Sequence, residues 1–129
     1  MRIGIDLASV EDVEAALRIH GDRYLHRVYT PGEVDDCRLV SGSLDTRRLA
    51  ARFAAKEAAF KALSPGDVAF PLTTVEVVTG RSGQPELALD QHGRSLAAAA
   101  GIRSLSVSLT HEGAYGAAVV IAEMLGDAA

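Results

Sequence analysis

The chain has 129 residues, 48% apolar and 23% charged, with a single cysteine, no tryptophan and a net charge of −4. That length suits one domain with a real core and excludes two ordinary ones, while lone Cys37 excludes a disulfide framework and points to a reducing cytoplasm. The acidic balance speaks against a general nucleic-acid binder, Asp6 falls where a signal peptide would need its apolar core, and no apolar run approaches the roughly 20 residues of a membrane span.

Ile3, Ile5 and Leu7 alternate with Arg2, Gly4 and Asp6, which predicts a short first strand with Asp6 at its far end, on the face of Gly4. Ser9, with Asp12 three residues on, caps a helix bearing Val10, Val13 and Leu17, and Gly21 ends it. Thr30-Pro31-Gly32-Glu33 is a second helix start, with cap, proline at the first helical position and glutamate at the third. A Ser-Gly-Ser loop at 41–43 leads to a long helix stopped by Ser64-Pro65-Gly66.

The second half changes period. Thr73–Thr79 and Glu86–Leu89 predict a hairpin across a Gly80-Arg81-Ser82-Gly83 turn. Residues 90–101 are alanine-rich and predict a helix, which Gly93 weakens. Ser104–Thr110 alternates as a half-buried strand, His111-Glu112-Gly113 is a tight connection, and Tyr115–Glu123 returns as a last strand. The order is strand, three helices, hairpin, helix, hairpin: an α+β domain with an antiparallel sheet packed against the long helix.

Charge is unevenly divided. Residues 1–63 hold ten basic and ten acidic side chains, against three and seven in the remainder. Lys56 and Lys61 are the only lysines in a chain otherwise written with arginine, and both lie on the long helix around Glu57. A compact ammonium differs from a planar guanidinium fork, so the choice hints at chemistry. On the same helix Leu49, Phe53, Phe60 and Leu63 share a face. Glu57 and Lys61, four apart, lie beside Ala50 and Ala54, which leave room for a backbone or ligand to come close. This pair is either a surface ion pair worth about 0.3–0.5 kcal/mol or part of a site. Asp6 is either a turn cap or a ligand for a hard cation. His111, where a strand leaves its sheet, is either satisfied locally or a site residue. Cys37 reads as a small buried hydrophobe. Neither a nucleophile elbow nor a glycine-rich phosphate loop occurs.

Three segments carry a resemblance: Ile3-Gly4-Ile5-Asp6-Leu7, then Arg52 through Ala62 (RFAAKEAAFKA), then Ser108-Leu109-Thr110-His111. In this order, with Arg27 ahead of the Thr30 helix start and a Gly83-Gln84-Pro85 turn, the chain resembles the holo-acyl-carrier-protein synthases, the small bacterial 4′-phosphopantetheinyl transferases. The resemblance implies that residues 1–129 form one transferase domain of that fold. It implies transfer of 4′-phosphopantetheine from coenzyme A to a serine of an acyl carrier protein, releasing 3′,5′-ADP. By the same resemblance Asp6 and Glu57 hold Mg²⁺, Glu57 and Lys61 are catalytic, and Arg52, Lys61, His111, Pro85, Arg47 and Arg48 bind the coenzyme, with Arg52 near its 3′-phosphate. Arg18, Arg23 and Arg27 dock the carrier, and the protein is a homotrimer with sites between protomers. One position departs from the family. Six residues after the motif aspartate, where relatives carry arginine, this chain has Asp12, flanked by Glu11 and Glu14. The alternative reading is a carrier-binding module without turnover.

Overall fold

The computed structural model describes residues 1–63, 66 and 69–127. Its organising element is helix α4 (Thr46–Leu63), which packs against all three strands of the larger sheet. Asp45 caps it, accepting from the backbone N–H of Arg47 and Arg48 at 3.1 and 3.4 Å. Ala50, Ala51, Ala54, Ala55, Ala58, Ala59 and Ala62 are all buried, so the sheet can approach the helix backbone closely. Glycines meet them from the other side. A Cβ on Gly4 would overlap the Ala58 carbonyl oxygen, and one on Gly116 would overlap the Ala51 nitrogen. Ser64 and Pro65 of the expected stop signal lie outside the described residues; α4 ends at Leu63.

Strand β1 (Arg2–Ser9) lies at an edge, β5 (Tyr115–Met124) in the middle and β4 (Ile102–Glu112) at the other edge, all antiparallel. Gly4, Ala8, Gly116, Ala118, Val120 and Ala122 make the buried face. The period of two then sends Ile3, Ile5 and Leu7 outward, 63%, 64% and 61% exposed, beside Ala117, Val119 and Ile121. The large apolar residues of β1 are therefore not its core residues; that role belongs to Gly4 and Ala8.

A separate two-stranded sheet pairs β2 (Val75–Thr79) with β3 (Pro85–Leu89), so the antiparallel strands form two sheets. Gly83, at φ +79°, closes their turn. Residues 72–74 form a 3₁₀ turn ahead of β2, which delays the strand's expected start at Thr73. Helix α5 (Gln91–Ala99) tolerates Gly93 because a side chain there would press on Thr74 and Leu89.

Among the described residues four α-helices, not three, precede the hairpin. Helix α1 (Val10–His20) is capped by Ser9, α2 (Asp22–Val28) follows Gly21, and α3 (Pro31–Asp36) has both halves of the Thr30–Glu33 capping box. Gly21, at φ +54°, ends α1 and starts α2 in one residue. The final connection is also tighter than expected: β4 and β5 pair through Glu112 and Tyr115, leaving Gly113 and Ala114 as the turn. His111 thus sits within the ladder, opposite Gly116, and not in the connection.

Candidate functional site

Two clusters of polar side chains flank α4. At the free edge of β1, the Lys61 ammonium donates to the Ile5 carbonyl at 2.8 Å and to Asp6 Oδ1 at 3.1 Å. Among the described residues, Lys61 makes no ion pair with Glu57; it crosses from helix to strand instead. Glu57 is half-buried. Its carboxyl is pushed above its ordinary value, chiefly by burial and then by the Asp6 charge, while Lys61 opposes the shift. Two carboxylates that repel, served by one ammonium, form an electrostatic site short of positive charge.

Asp6 and Lys61 line a cleft of about 540 Å³ that runs over the outer sheet face past Leu7, Ser108, Thr110 and Val119. No group of three or more histidine, cysteine or carboxylate side chains suited to a metal occurs among the described residues. The carboxylates that could serve a cation at this position are Asp6 and Glu57, near enough for the charge of one to act on the other. That fits a hard cation which keeps waters and shares phosphate oxygens, and it does not fit an all-protein cage.

The second cluster lies across the helix. From 3.6 residues per turn, Arg52 points about 140° from Glu57 and about 180° from Lys61. Arg48, Arg52, Pro85 and His111 line a cleft of about 250 Å³ between α4, β4 and the β2–β3 hairpin. Leu109 and Thr110 are common to both clefts. The Arg52 side chain is only 7% exposed, yet among the described residues its buried Nε has no hydrogen-bond partner, and its nearest carboxylate, Asp36, stands 3.8 Å from Nη2. Beneath it, burial pushes the Cys37 thiol up to about 11, so Cys37 is a buried small side chain and not a nucleophile. Arg47 lies outside this cleft, exposed and 3.8 Å from Asp45.

Lys56 serves neither cleft. Its ammonium, 0% exposed, meets Glu33 Oε1 at 2.6 Å, the Leu72 carbonyl at 3.1 Å and the Val75 carbonyl. Glu33 in turn accepts from the backbone N–H groups of Thr30 and Val77. Burial pulls the Lys56 ammonium below its ordinary value and Glu33 counters that. The lysine is structural, and Glu33, read from sequence only as a cap residue, is its partner.

Arg18, Arg23 and Arg27 are all exposed, and the last two line a shallow cleft with His20 and Tyr24. A neighbouring groove, formed by Leu7, Val13, Ala16, Tyr24 and Phe53, is rimmed by Asp12. Helices α1 and α2 thus expose these arginines, and α1 also exposes the acids Glu11, Asp12 and Glu14.

Residues 2–120 match the family model of the 4′-phosphopantetheinyl transferase superfamily. A holo-[acyl-carrier-protein] synthase of Desulforudis audaxviator is 42% identical over 120 residues, covering 93% of this chain and 90% of its own. Among solved structures, the Helicobacter pylori holo-[acyl-carrier-protein] synthase in complex with coenzyme A superposes with a TM-score of 0.79 at 26% identity, covering 94% and 99% of the two chains. The holo-(acyl-carrier-protein) synthase of Bacillus anthracis in complex with CoA (3′,5′-ADP) gives 0.72 at 26% identity, covering 95% and 96%.

Proposed function

The chain belongs to the holo-[acyl-carrier-protein] synthases of the 4′-phosphopantetheinyl transferase superfamily, and from that premise we propose that it moves 4′-phosphopantetheine from coenzyme A to a serine of an apo acyl carrier protein, with Mg²⁺, releasing 3′,5′-ADP. The observation that carries this reading is the contact of Asp6 with Lys61 across 55 residues of sequence, with Glu57 near enough to feel the charge of both.

Asp6 and Glu57 would hold Mg²⁺, which when bound supplies the charge that withdraws electrons from the pyrophosphate. Lys61 contacts that same pyrophosphate and neutralises charge as the bond to 3′,5′-ADP breaks. Glu57, whose carboxyl burial pushes above its ordinary value, accepts the proton of the carrier serine as its Oγ bonds to phosphorus. Across the helix, Arg52 takes the 3′-phosphate, with His111, Pro85 and Arg48 around the nucleotide end, while the exposed Arg47, outside the cleft, adds positive charge to the same end of α4. Arg52's unpartnered buried Nε favours an anionic ligand, because a buried donor left unmade is costly. Arg18, Arg23 and Arg27 offer exposed positive charge for an acidic carrier.

The same reading makes the protein a cytoplasmic homotrimer with sites between protomers. Two observations favour it: the two clusters face away from one another across α4, and the outer sheet face between them is apolar and exposed. No helix of the described residues is long and apolar enough to cross a membrane.

The test is incubation with coenzyme A, Mg²⁺ and a panel of apo carriers, read by mass spectrometry. A phosphopantetheine mass added to a carrier, with 3′,5′-ADP released, is the expected result. Carriers that bind but gain no mass would favour the module without turnover.

A further inference from the structure

Arg52 is held in place by burial and not by a strong ion pair. Its side chain is 7% exposed, but the nearest carboxylate oxygen, Asp36 Oδ2, is 3.8 Å from Nη2, beyond hydrogen-bond range. Asp36 is itself 41% exposed, and among the described residues its side chain makes no hydrogen bond. Its position is poor for the helix too. It is the last residue of α3, a helix with no basic residue in its final turn, where the C-terminal dipole disfavours an anion. The carboxylate therefore does not stabilise its own helix, and it holds Arg52 only through a long ion pair. What it does supply is a negative charge beside the guanidinium of the basic cleft.

We infer that Asp36 is a counter-charge acting through Arg52, one that weakens the grip of the cleft on the 3′-phosphate of coenzyme A and thereby of 3′,5′-ADP. The inference rests on the assignment of Arg52 to that phosphate. Arg52 and Arg48 together give two fixed positive charges, and the half-exposed Asp36 offsets part of that field. A cleft whose product keeps the 3′-phosphate that held the substrate gains turnover from moderate affinity, since tight binding of both ends retards release.

Asp36→Asn removes the charge and keeps the shape. It should lower the KM for coenzyme A and the inhibition constant of 3′,5′-ADP by about three- to tenfold at low salt, from one charge acting at short range through a partly exposed medium. The KM for dephospho-coenzyme A, which lacks the 3′-phosphate, should change much less, and Asp36→Glu should restore the parent's preference. A purely structural role would move both substrates together. A raised KM for coenzyme A, or equal shifts with the two substrates, would overturn the inference. If the parent itself handles the two substrates alike, the Arg52 assignment fails first and takes this inference with it. If the parent discriminates and Asp36→Asn does not alter that, only the role of Asp36 is refuted.

Discussion

Lys56 and Glu33 meet at 2.6 Å with both side chains wholly buried, and every remaining donor and acceptor they direct inward is matched by backbone. The pair joins α3, α4 and the start of β2. Lys56→Met should cost about 3–5 kcal/mol, because it strands a buried carboxylate. Lys56→Arg should also destabilise, since a planar fork cannot reach three acceptors arranged around one point. Urea unfolding of both variants checks this; a loss below 1 kcal/mol in Lys56→Met would mean that the pair contributes little.

Asp6→Ala and Glu57→Gln should each lower kcat/KM by at least about a hundredfold, the scale seen when a group stabilising transition-state charge is lost. Circular dichroism should show both folded. Near-parental turnover by either purified variant would remove the metal assignment.

Glu57 also predicts a pH signature. Its folded carboxyl sits above its unfolded value, so the stability it contributes is present below the unfolded value and is lost as pH rises through the folded one. Cation binding runs the other way, because the carboxylate must be free of its proton. Titration calorimetry should find Mg²⁺ affinity rising as pH passes through the raised Glu57 value, with proton release on binding. In Glu57→Gln that proton release should vanish.

Ile3→Glu would place a charge on the exposed apolar sheet face. We expect sedimentation to report a trimer for the parent and a smaller species for the variant, with activity lost alongside assembly. A parent that is both monomeric and fully active at micromolar concentration would end the shared-site reading.

Asp12→Arg should speed modification of a strongly acidic carrier, with the gain shrinking as salt rises. An unchanged rate at low salt would show that the acids of α1 do not face the carrier.

How much of this was legible in the sequence follows the range of the forces involved. The Thr30–Glu33 box, the Ser9 cap and the helix at α4 are local, and they stand in the fold as the residues suggested. Helix α2 escaped because seven residues, with Leu25 and Val28 the buried ones, are too short to display a period. The strand order β1-β5-β4 and the partners of the two lysines are tertiary facts. Nothing near Lys61 announces the Ile5 carbonyl, and nothing near Lys56 announces Glu33. The choice of lysine over arginine did mark the helix, though for different reasons at its two positions: one closes a buried ion pair and the other reaches over a strand edge.

The opposed faces of α4 have a consequence for mixtures of damaged chains. If each cleft draws Asp6 and Glu57 from one copy and Arg52 from the next, a defect on one face of the helix harms a different cleft from a defect on the other. Glu57→Gln chains and Arg52→Ala chains, each inactive when pure, would then restore some wholly intact clefts when unfolded and reassembled together. Complementation in trans would separate a shared cleft from a self-contained one without any view of the bound coenzyme.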